Sequence, residues 1–150
     1  MLYELRSPTT LQDWETYHGI RRRVLFELRG KMGVYDAHHP DEQLPGNHPR
    51  LFVREGAVIG VIRIDLTPPV ATFRRVAIRE DLQGRGYGTE LIALAESFAR
   101  DHGCGEVRSW VDPGAVAFYT KCGFHFTSDD VRTDRAVPMA KTLSRASDAD

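Results

Sequence analysis

The sequence predicts one α/β domain built on a mixed, mostly antiparallel sheet of about seven strands, with helices on both faces. Its length of 150 residues is that of a single domain. Three strand-like segments follow one another closely between residues 50 and 79, and helical patterns separate the strand-like segments after them. Strands that pair first as a meander and are then joined through helices are typical of a mixed sheet.

The first third of the chain predicts a strand, a helix and a loop. Polar and apolar residues alternate over residues 2–6, which indicates a short strand. Residues 10–29 carry apolar side chains at helical spacing, with Thr10 placed to start the helix and Gly30 to end it. Residues 31–48 are rich in Pro, Gly, Asn and Asp and predict an irregular loop, a kind of segment that is often functional.

The middle of the chain predicts an antiparallel meander of three strands. The strands cover residues 50–55, 58–66 and 70–79, and turn residues separate them. The remaining predicted elements are a long helix from Gly84 to Gly103, a strand over 105–111, a short helix over 112–122, strands over 123–127 and 135–143, and a frayed tail over 144–150.

Composition and charge exclude several classes of protein. Hydrophobic residues make up 41% of the chain and charged residues 27%, which argues against intrinsic disorder and against a collagen-like repeat. Twenty Lys and Arg against 21 Asp and Glu give a net charge of −1, so nucleic acid is not an expected partner. The run of three arginines at 21–23 fans around the predicted helix and is expected to be a solvated face.

Cysteine content and hydropathy bear on metal sites and location. The two cysteines, Cys104 and Cys122, form no zinc framework, and no metal is expected. The N-terminal residues show no signal-peptide core, and no apolar run is long enough to span a membrane. A cytoplasmic location without membrane attachment is therefore predicted.

The most informative segment is the glycine-rich run from Gln83 to Thr89, which follows a predicted strand and opens a predicted helix. In that position, backbone N–H groups and the helix dipole favour an anion. Thr89 and Glu90 exclude the dinucleotide fingerprint and the ATP-binding P-loop, which require Gly or Lys there. Glycines at every second position suit a diphosphate, and a tight turn without a ligand is the alternative.

Three segments together resemble the GNAT superfamily of N-acetyltransferases. Gln83-x-x-Gly86-x-Gly88 resembles the acetyl-CoA motif of that family, Gln/Arg-x-x-Gly-x-Gly/Ala, and residues 75–78 resemble the strand before it. Residues 115–124 resemble the second family motif, Ala-x-x-Phe-Tyr-x-x-x-Gly-Phe. The resemblance covers about residues 73–127 and implies a GNAT-like sheet whose two central strands splay where CoA enters.

The resemblance implies acetyl-CoA as co-substrate. Its diphosphate would lie on the N–H groups of the glycine-rich run, and its pantetheine arm would pair with the preceding strand. A backbone N–H of that strand would hold the thioester oxygen as it becomes an oxyanion. The implied cofactor-binding residues are Val76, Ala77, Ile78, Gln83, Gly84, Arg85, Gly86, Tyr87, Gly88 and Thr89.

Tyr119 matches the general acid of the family. Attack of an amine on an acetyl thioester expels a CoA thiolate, and a phenol with a pKa near 10 can protonate that sulfur. The alternative is an aromatic side chain that only packs on the short helix, as expected for Phe118.

Two departures from the family pattern leave the general base open. Asp112 stands where the family often has Asn, and capping of the following helix is the alternative role for its carboxylate. The strand over 70–79 carries no acidic residue. The loop over 31–48 offers candidates, with a plain solvated loop as the alternative; these candidates are Asp36, His38, His39, Asp41 and His48.

The acceptor is expected to be a primary amine of a small metabolite. Arg74 and Arg75 are adjacent on a strand and should point to opposite faces, so that one faces the substrate and can bind a carboxylate. The alternatives are a non-catalytic acyl-CoA-binding regulatory module and an acetyltransferase that acts on protein N-termini or lysines. The family resemblance also allows a homodimer.

Overall fold

The computed structural model describes residues 2–128 and 134–144, so the predicted frayed tail lies outside the described residues from residue 145 onwards. The helices and strands are β1 (Tyr3–Arg6), α1 (Leu11–Leu25), β2 (Asn47–Arg54), β3 (Ala57–Thr67), β4 (Val70–Ile78), α2 (Tyr87–Asp101), β5 (Glu106–Val111), α3 (Val116–Lys121), β6 (His125–Phe126) and β7 (Val137–Thr142). Single 3₁₀ turns cover Glu27–Arg29, Pro40–Gln43, Glu80–Leu82 and Pro113–Ala115.

The seven strands of the described residues form one sheet in the order β1-β2-β3-β4-β5-β7-β6. Every neighbouring pair is antiparallel except β4 and β5, which are parallel. The parallel pair follows from the crossover through α2, because a helix returns the chain to the edge at which β4 began. The predicted mixed, mostly antiparallel sheet is therefore confirmed.

Helices cover both faces of the sheet, as predicted. On one face α1 packs Tyr17 and Ile20 against Leu51 and Val61 of the meander. On the other face α2 and α3 pack against inward side chains of β2, β3, β4 and β5. Strand β3 thus buries both of its faces over residues 59–64, which explains its nearly continuous apolar run.

Helix α1 begins as predicted but ends four residues earlier than predicted. The Thr10 hydroxyl accepts a hydrogen bond from the Asp13 N–H at 3.0 Å, and the Asp13 carboxylate accepts one from the Thr10 N–H, which forms a capping box. Phe26 leaves helical backbone with φ −123° and ψ −63°. The chain continues as a 3₁₀ turn that Gly30 closes at a φ of +78°.

Strand β4 contains a β-bulge at Arg75. Between the pairs Arg63↔Arg74 and Val61↔Ala77, β4 holds one residue more than β3. Arg75 has a φ of +55°, a left-handed conformation that is uncommon for a residue with a side chain. The bulge turns Arg75 to the α1 face, which Arg74 also faces, so the prediction that the two point to opposite faces is wrong.

Strands β4 and β5 separate halfway along their length. They pair over Val70–Phe73 and Glu106–Ser109 only. Beyond that point β4 pairs with β3 alone, whereas β5 continues beside β7. We call the opening beyond Phe73 and Ser109 the fork, and it corresponds to the splay that the sequence resemblance implied.

Candidate active site

A cavity of about 840 Å³ opens at the fork on the α1 face of the sheet. Its walls come from the segment after α1, from the bulge of β4, from the end of β5 and from the residues directly before β7. We call it the fork cavity. The predicted loop over 31–48 forms one wall; it is less irregular than predicted, since it holds the 3₁₀ turn Pro40–Gln43 and its last residues belong to β2.

Tyr119 places a phenol at the base of the fork. The side chain is 6% exposed, and its hydroxyl interacts with that of Ser109. The Ser109 hydroxyl in turn donates to the carbonyl of Phe73 at 3.0 Å, across the last residue pair of β4 and β5. Burial raises the pKa of Tyr119 to about 12, so the phenol keeps its proton throughout the neutral range.

The aromatic ring of Tyr119 is also part of the core. It meets Phe118 and Phe124 edge-on, with ring centroids 5.3 Å and 5.2 Å away. The packing of the ring holds the hydroxyl at the fork, so a packing role for Tyr119 does not exclude a chemical one.

The glycine-rich run forms an uncapped helix N-terminus. Gly86 is the N-cap of α2 at a φ of +85°, and no side chain accepts from the first-turn N–H groups. Those groups and the positive end of the helix dipole are free to meet an anion. Arg85 and Thr89 are exposed beside them.

Gly88 has a different role from the glycines that precede it. It lies inside α2, and a Cβ at this position would come within 3.0 Å of the Phe118 ring. Gly88 therefore allows α2 to pack closely on α3, which carries Tyr119. The contact between Gly88 and Phe118 therefore joins the glycine-rich run to the second family motif.

The predicted cofactor-binding residues of β4 lie beyond the fork. Val76, Ala77 and Ile78 follow the bulge, and their edge toward β5 has no strand partner among the described residues. The Gln83 side chain donates from Nε2 to the carbonyl of Ile78 at 3.0 Å, which ties the glycine-rich run to the end of β4. The structure thus brings the predicted strand and the predicted loop together.

A buried ionic network forms beside the fork cavity, and sequence reasoning missed it. Arg21 and Arg63 both donate to the carboxylate of Glu42, and all three residues are buried. Arg63 also pairs with Asp65 at 2.7 Å, and Arg74 pairs with Asp65 at 2.9 Å. The expected solvated face at 21–23 is wrong for Arg21, because Glu42 lies 21 positions away and its approach has no local sequence signal.

The candidate bases of the loop divide into two groups. Asp36, His39 and Asp41 line the fork cavity, whereas His38 does not. His48 lies on β2 and packs its ring against Phe98 and His102 of α2, away from that cavity. The structure therefore brings three of the five candidates to the site.

Tyr35 lines the fork cavity and forms a polar pair with His18, which was not predicted. The Tyr35 hydroxyl hydrogen-bonds the Nδ1 atom of His18, and the Tyr35 ring lies 5.0 Å from that of Phe26. Burial lowers the pKa of His18 and raises that of Tyr35, so both are neutral at pH 7. The only sign of this pair in the sequence is Tyr35 itself, an aromatic residue within a polar loop.

Asp112 caps the turn after β5. Its carboxylate accepts from the N–H of Gly114 at 3.0 Å and lies 3.7 Å from Arg29. This contact supports the capping alternative at the position where the family often has Asn.

Neither a metal cluster nor a membrane span is found in the part of the chain that the structure describes. No three His, Cys, Asp or Glu side chains of residues 2–128 and 134–144 are placed to hold a metal ion. Over the same residues, no helix has the length and apolarity needed to cross a bilayer.

An enzyme that transfers an acyl group from a CoA thioester needs an anion site for the diphosphate and an open strand edge for the pantetheine arm. The fork leaves a strand edge of β4 open and the N-terminus of α2 has no side-chain cap, so the fold is compatible with both requirements. The profile of the acetyltransferase (GNAT) family matches residues 1–124, and the chain belongs to that family. It is an acyltransferase with acetyl-CoA as co-substrate.

Solved structures of N-acetyltransferases share the fold. The ribosomal-protein-S18-alanine N-acetyltransferase from Escherichia coli superimposes with a TM-score of 0.73 at 18% identity over 96% of each chain. The PaiA N-acetyltransferase from Thermoplasma acidophilum, in complex with coenzyme A, gives 0.71 at 19% identity over 95% of this chain and 100% of its own. N-acetylglutamate synthase from Neisseria gonorrhoeae, complexed with coenzyme A and N-acetyl-glutamate, gives 0.75 at 15% identity over 97% of this chain and 36% of its own.

Proposed function

We propose that the protein transfers an acetyl group from acetyl-CoA to a primary amine of a small metabolite, with Tyr119 as general acid. The observation that carries this proposal is the buried phenol of Tyr119 at the base of the fork, next to an uncapped helix N-terminus. Family membership supports the reaction class, and the geometry supports the assignment of roles.

The proposed cofactor site follows the chain from β4 into α2. The diphosphate binds the N–H groups at Gly84, Arg85, Gly86, Tyr87, Gly88 and Thr89. The pantetheine arm runs along Val76, Ala77 and Ile78, whose free edge can accept an added strand. Gln83 acts as a positioning residue, because its side chain holds the Ile78 carbonyl.

The proposed reaction is a direct attack. The amine nitrogen attacks the thioester carbon as the free base, and a backbone N–H of β4 stabilises the oxyanion. The C–S bond then breaks, and the sulfur takes the proton of the Tyr119 phenol. The nitrogen loses one proton as the amide forms, and that proton restores the phenol through solvent, so the protons balance.

The two alternative functions predict different behaviour. A regulatory acyl-CoA-binding module has no need of a neutral phenol at the fork. An acetyltransferase acting on proteins needs an open groove, whereas the loop from Tyr35 to Glu42 walls the fork cavity. The phenol therefore favours an enzyme, and the loop wall favours a small acceptor.

The test is to measure acetyl-CoA binding by calorimetry and thiol release from acetyl-CoA over a broad amine panel. At about a hundred times its Kd, acetyl-CoA should add roughly 2.7 kcal/mol of stability and raise the Tm by about 5–11 °C. Binding without acetylation of any amine would support the regulatory module. Acetylation of peptide N-termini but of no small amine would support a protein acetyltransferase.

Location and assembly are further proposals. Cys104 and Cys122 are both free thiols, which is consistent with a reducing compartment such as the cytoplasm. A homodimer remains a prediction, and light scattering during size-exclusion chromatography measures it directly.

A further inference from the structure

Arg75 is a cation of the fork cavity that has no carboxylate partner among the described residues. The cavity is lined there by seven Lys and Arg side chains and five carboxylates. The network described above occupies Glu42, and Asp112 and Asp134 pair with Arg29 and Arg135. Within residues 2–128 and 134–144, none of the ion pairs includes Arg75.

The backbone holds Arg75 in an unfavourable conformation to point it into the cavity. Its φ of +55° lies in the left-handed region, which is unfavourable for a residue with a side chain. The guanidinium lies 5.1 Å from the centre of the Phe26 ring, which limits its motion. Its neighbour Arg74, in contrast, is tied to Asp65 by a hydrogen bond of 2.9 Å.

A second arginine beside it is also incompletely satisfied. Arg21 is 5% exposed and lines the same cavity, and its buried Nε–H donates to no described residue. Arg21 and Arg75 both lie close to the Tyr35 side chain. The guanidinium of Arg21 is 5.7 Å from the centre of the Tyr35 ring. A donor left unsatisfied in a buried guanidinium is costly unless a ligand meets it.

The local electrostatics favour an anion at this point. Burial lowers the pKa of Arg75, and the positive charges of Arg21 and Arg63 lower it further. Several cations near one guanidinium raise its energy, and a bound anion would relieve that repulsion.

We propose that Arg75, supported by Arg21, binds a carboxylate of the acceptor, so that the acceptor is a small amine that is also an acid. This inference rests on the proposed function for the acetyl transfer itself. A guanidinium accepts a carboxylate through two parallel hydrogen bonds, which fixes the acceptor in orientation as well as in place.

The same charges argue against other acceptors. A polyamine brings two or more positive charges and no anion, so Arg21, Arg63 and Arg75 would repel it. A protein N-terminus has a neutral amide where an amino acid has its carboxylate, and it would leave Arg75 unpaired. The acceptor class is therefore set by the bulge of β4.

The first part of the test compares matched acceptors. Thiol release from acetyl-CoA is measured with α-, β- and γ-amino acids, each beside its own amide and beside the amine that lacks the carboxyl group, with spermidine as a polycation. The expected result is a kcat/KM about tenfold or more higher for an acid than for its amide. Faster acetylation of the amides or of spermidine would overturn the inference and leave the proposed transferase function standing.

The second part uses binding alone and does not depend on turnover. N-acetylated forms of the same acids and of the same amides are titrated calorimetrically into the protein saturated with CoA. At least one acid is expected to bind about tenfold tighter than its amide. If no acid binds more tightly than its amide, the inference is wrong, whether or not any amine is acetylated.

Variants of Arg75 test whether this residue causes the preference for acids over amides. Arg75→Gln should weaken the preferred acid about tenfold or more and bring it level with its amide, whereas Arg75→Lys should keep part of the difference. Arg108→Gln is the matched control, because it removes one exposed positive charge from the neighbouring strand outside the fork cavity. Equal losses in Arg75→Gln and Arg108→Gln would show a general charge effect and overturn the assignment.

Discussion

At the scale of single residues, the proposed chemistry depends on the Tyr119 hydroxyl. Tyr119→Phe removes one oxygen and keeps the ring that packs on Phe118 and Phe124. We expect kcat to fall about a hundredfold, in the range usual for loss of a general acid, while the Kd for acetyl-CoA stays unchanged. Steady-state kinetics and calorimetry measure both, and an unchanged kcat would remove Tyr119 from the mechanism.

The pH dependence gives an independent check on the same residue. Because burial raises the pKa of Tyr119 to about 12, the phenol remains protonated until the pH approaches that value. The activity of a general acid falls only when the acid loses its proton, so Tyr119 should cause no loss of kcat between pH 7 and pH 10. A falling alkaline limb in that range that disappears in Tyr119→Phe would show that the phenol loses its proton below pH 10 and would contradict the raised pKa of Tyr119.

The residues that the sequence predicted lie in short contiguous motifs. The residues that it missed depend on contacts between distant parts of the chain. Gly86 and Tyr119 stand in short motifs that meet where Gly88 packs on the Phe118 ring, and the spacing within each motif is visible in the chain. The pairing of Arg21 with Glu42 depends on a loop folding back on α1, and no periodicity reports it. The conformation of Arg75 depends on the register between two strands, which a single strand cannot show.

At the scale of elements, Gly60 of β3 lies against β4, the proposed pantetheine strand, with no room for a side chain. A Cβ there would lie 2.8 Å from the carbonyl oxygen of Ala77 and 2.9 Å from Cδ1 of Ile78. Gly60→Ala should therefore push β4 away, destabilise the fold by about 1–3 kcal/mol and weaken acetyl-CoA binding. Denaturant unfolding and calorimetry measure the two effects.

A matched glycine separates this clash from a general effect of the substitution. Gly19 lies within α1, and a Cβ at that position would meet nothing within 4 Å. Gly19→Ala should stabilise the protein by about 0.5–1 kcal/mol, because alanine favours the helix. If both substitutions change stability in the same direction, close approach of β4 is not the reason for glycine at position 60.

At the scale of the whole molecule, Glu42 connects three parts of the chain around the fork cavity. Its carboxylate lies on the loop wall and accepts hydrogen bonds from Arg21 and Tyr17 of α1 and from Arg63 of β3. These hydrogen bonds to Glu42 also hold Arg21 in its place beside Arg75. The wall of the site and its charge are thus set by one buried carboxylate that no local pattern predicts.

Loss of the Glu42 charge should both loosen the loop wall of the site and destabilise the fold. Glu42→Gln keeps the shape but leaves Arg21 and Arg63 buried with a neutral partner, so we expect a loss of about 3 kcal/mol in the free energy of unfolding. Tyr17→Phe removes only one neutral donor to the same carboxylate, at 3.2 Å, and should cost about 1 kcal/mol. Urea unfolding of both variants tests the order of these two losses. Loss of the charge that pairs with two arginines should cost more stability than loss of one hydrogen bond from the Tyr17 phenol. Equal losses would mean that the arginines gain little from Glu42, and that the loop wall is held by packing instead.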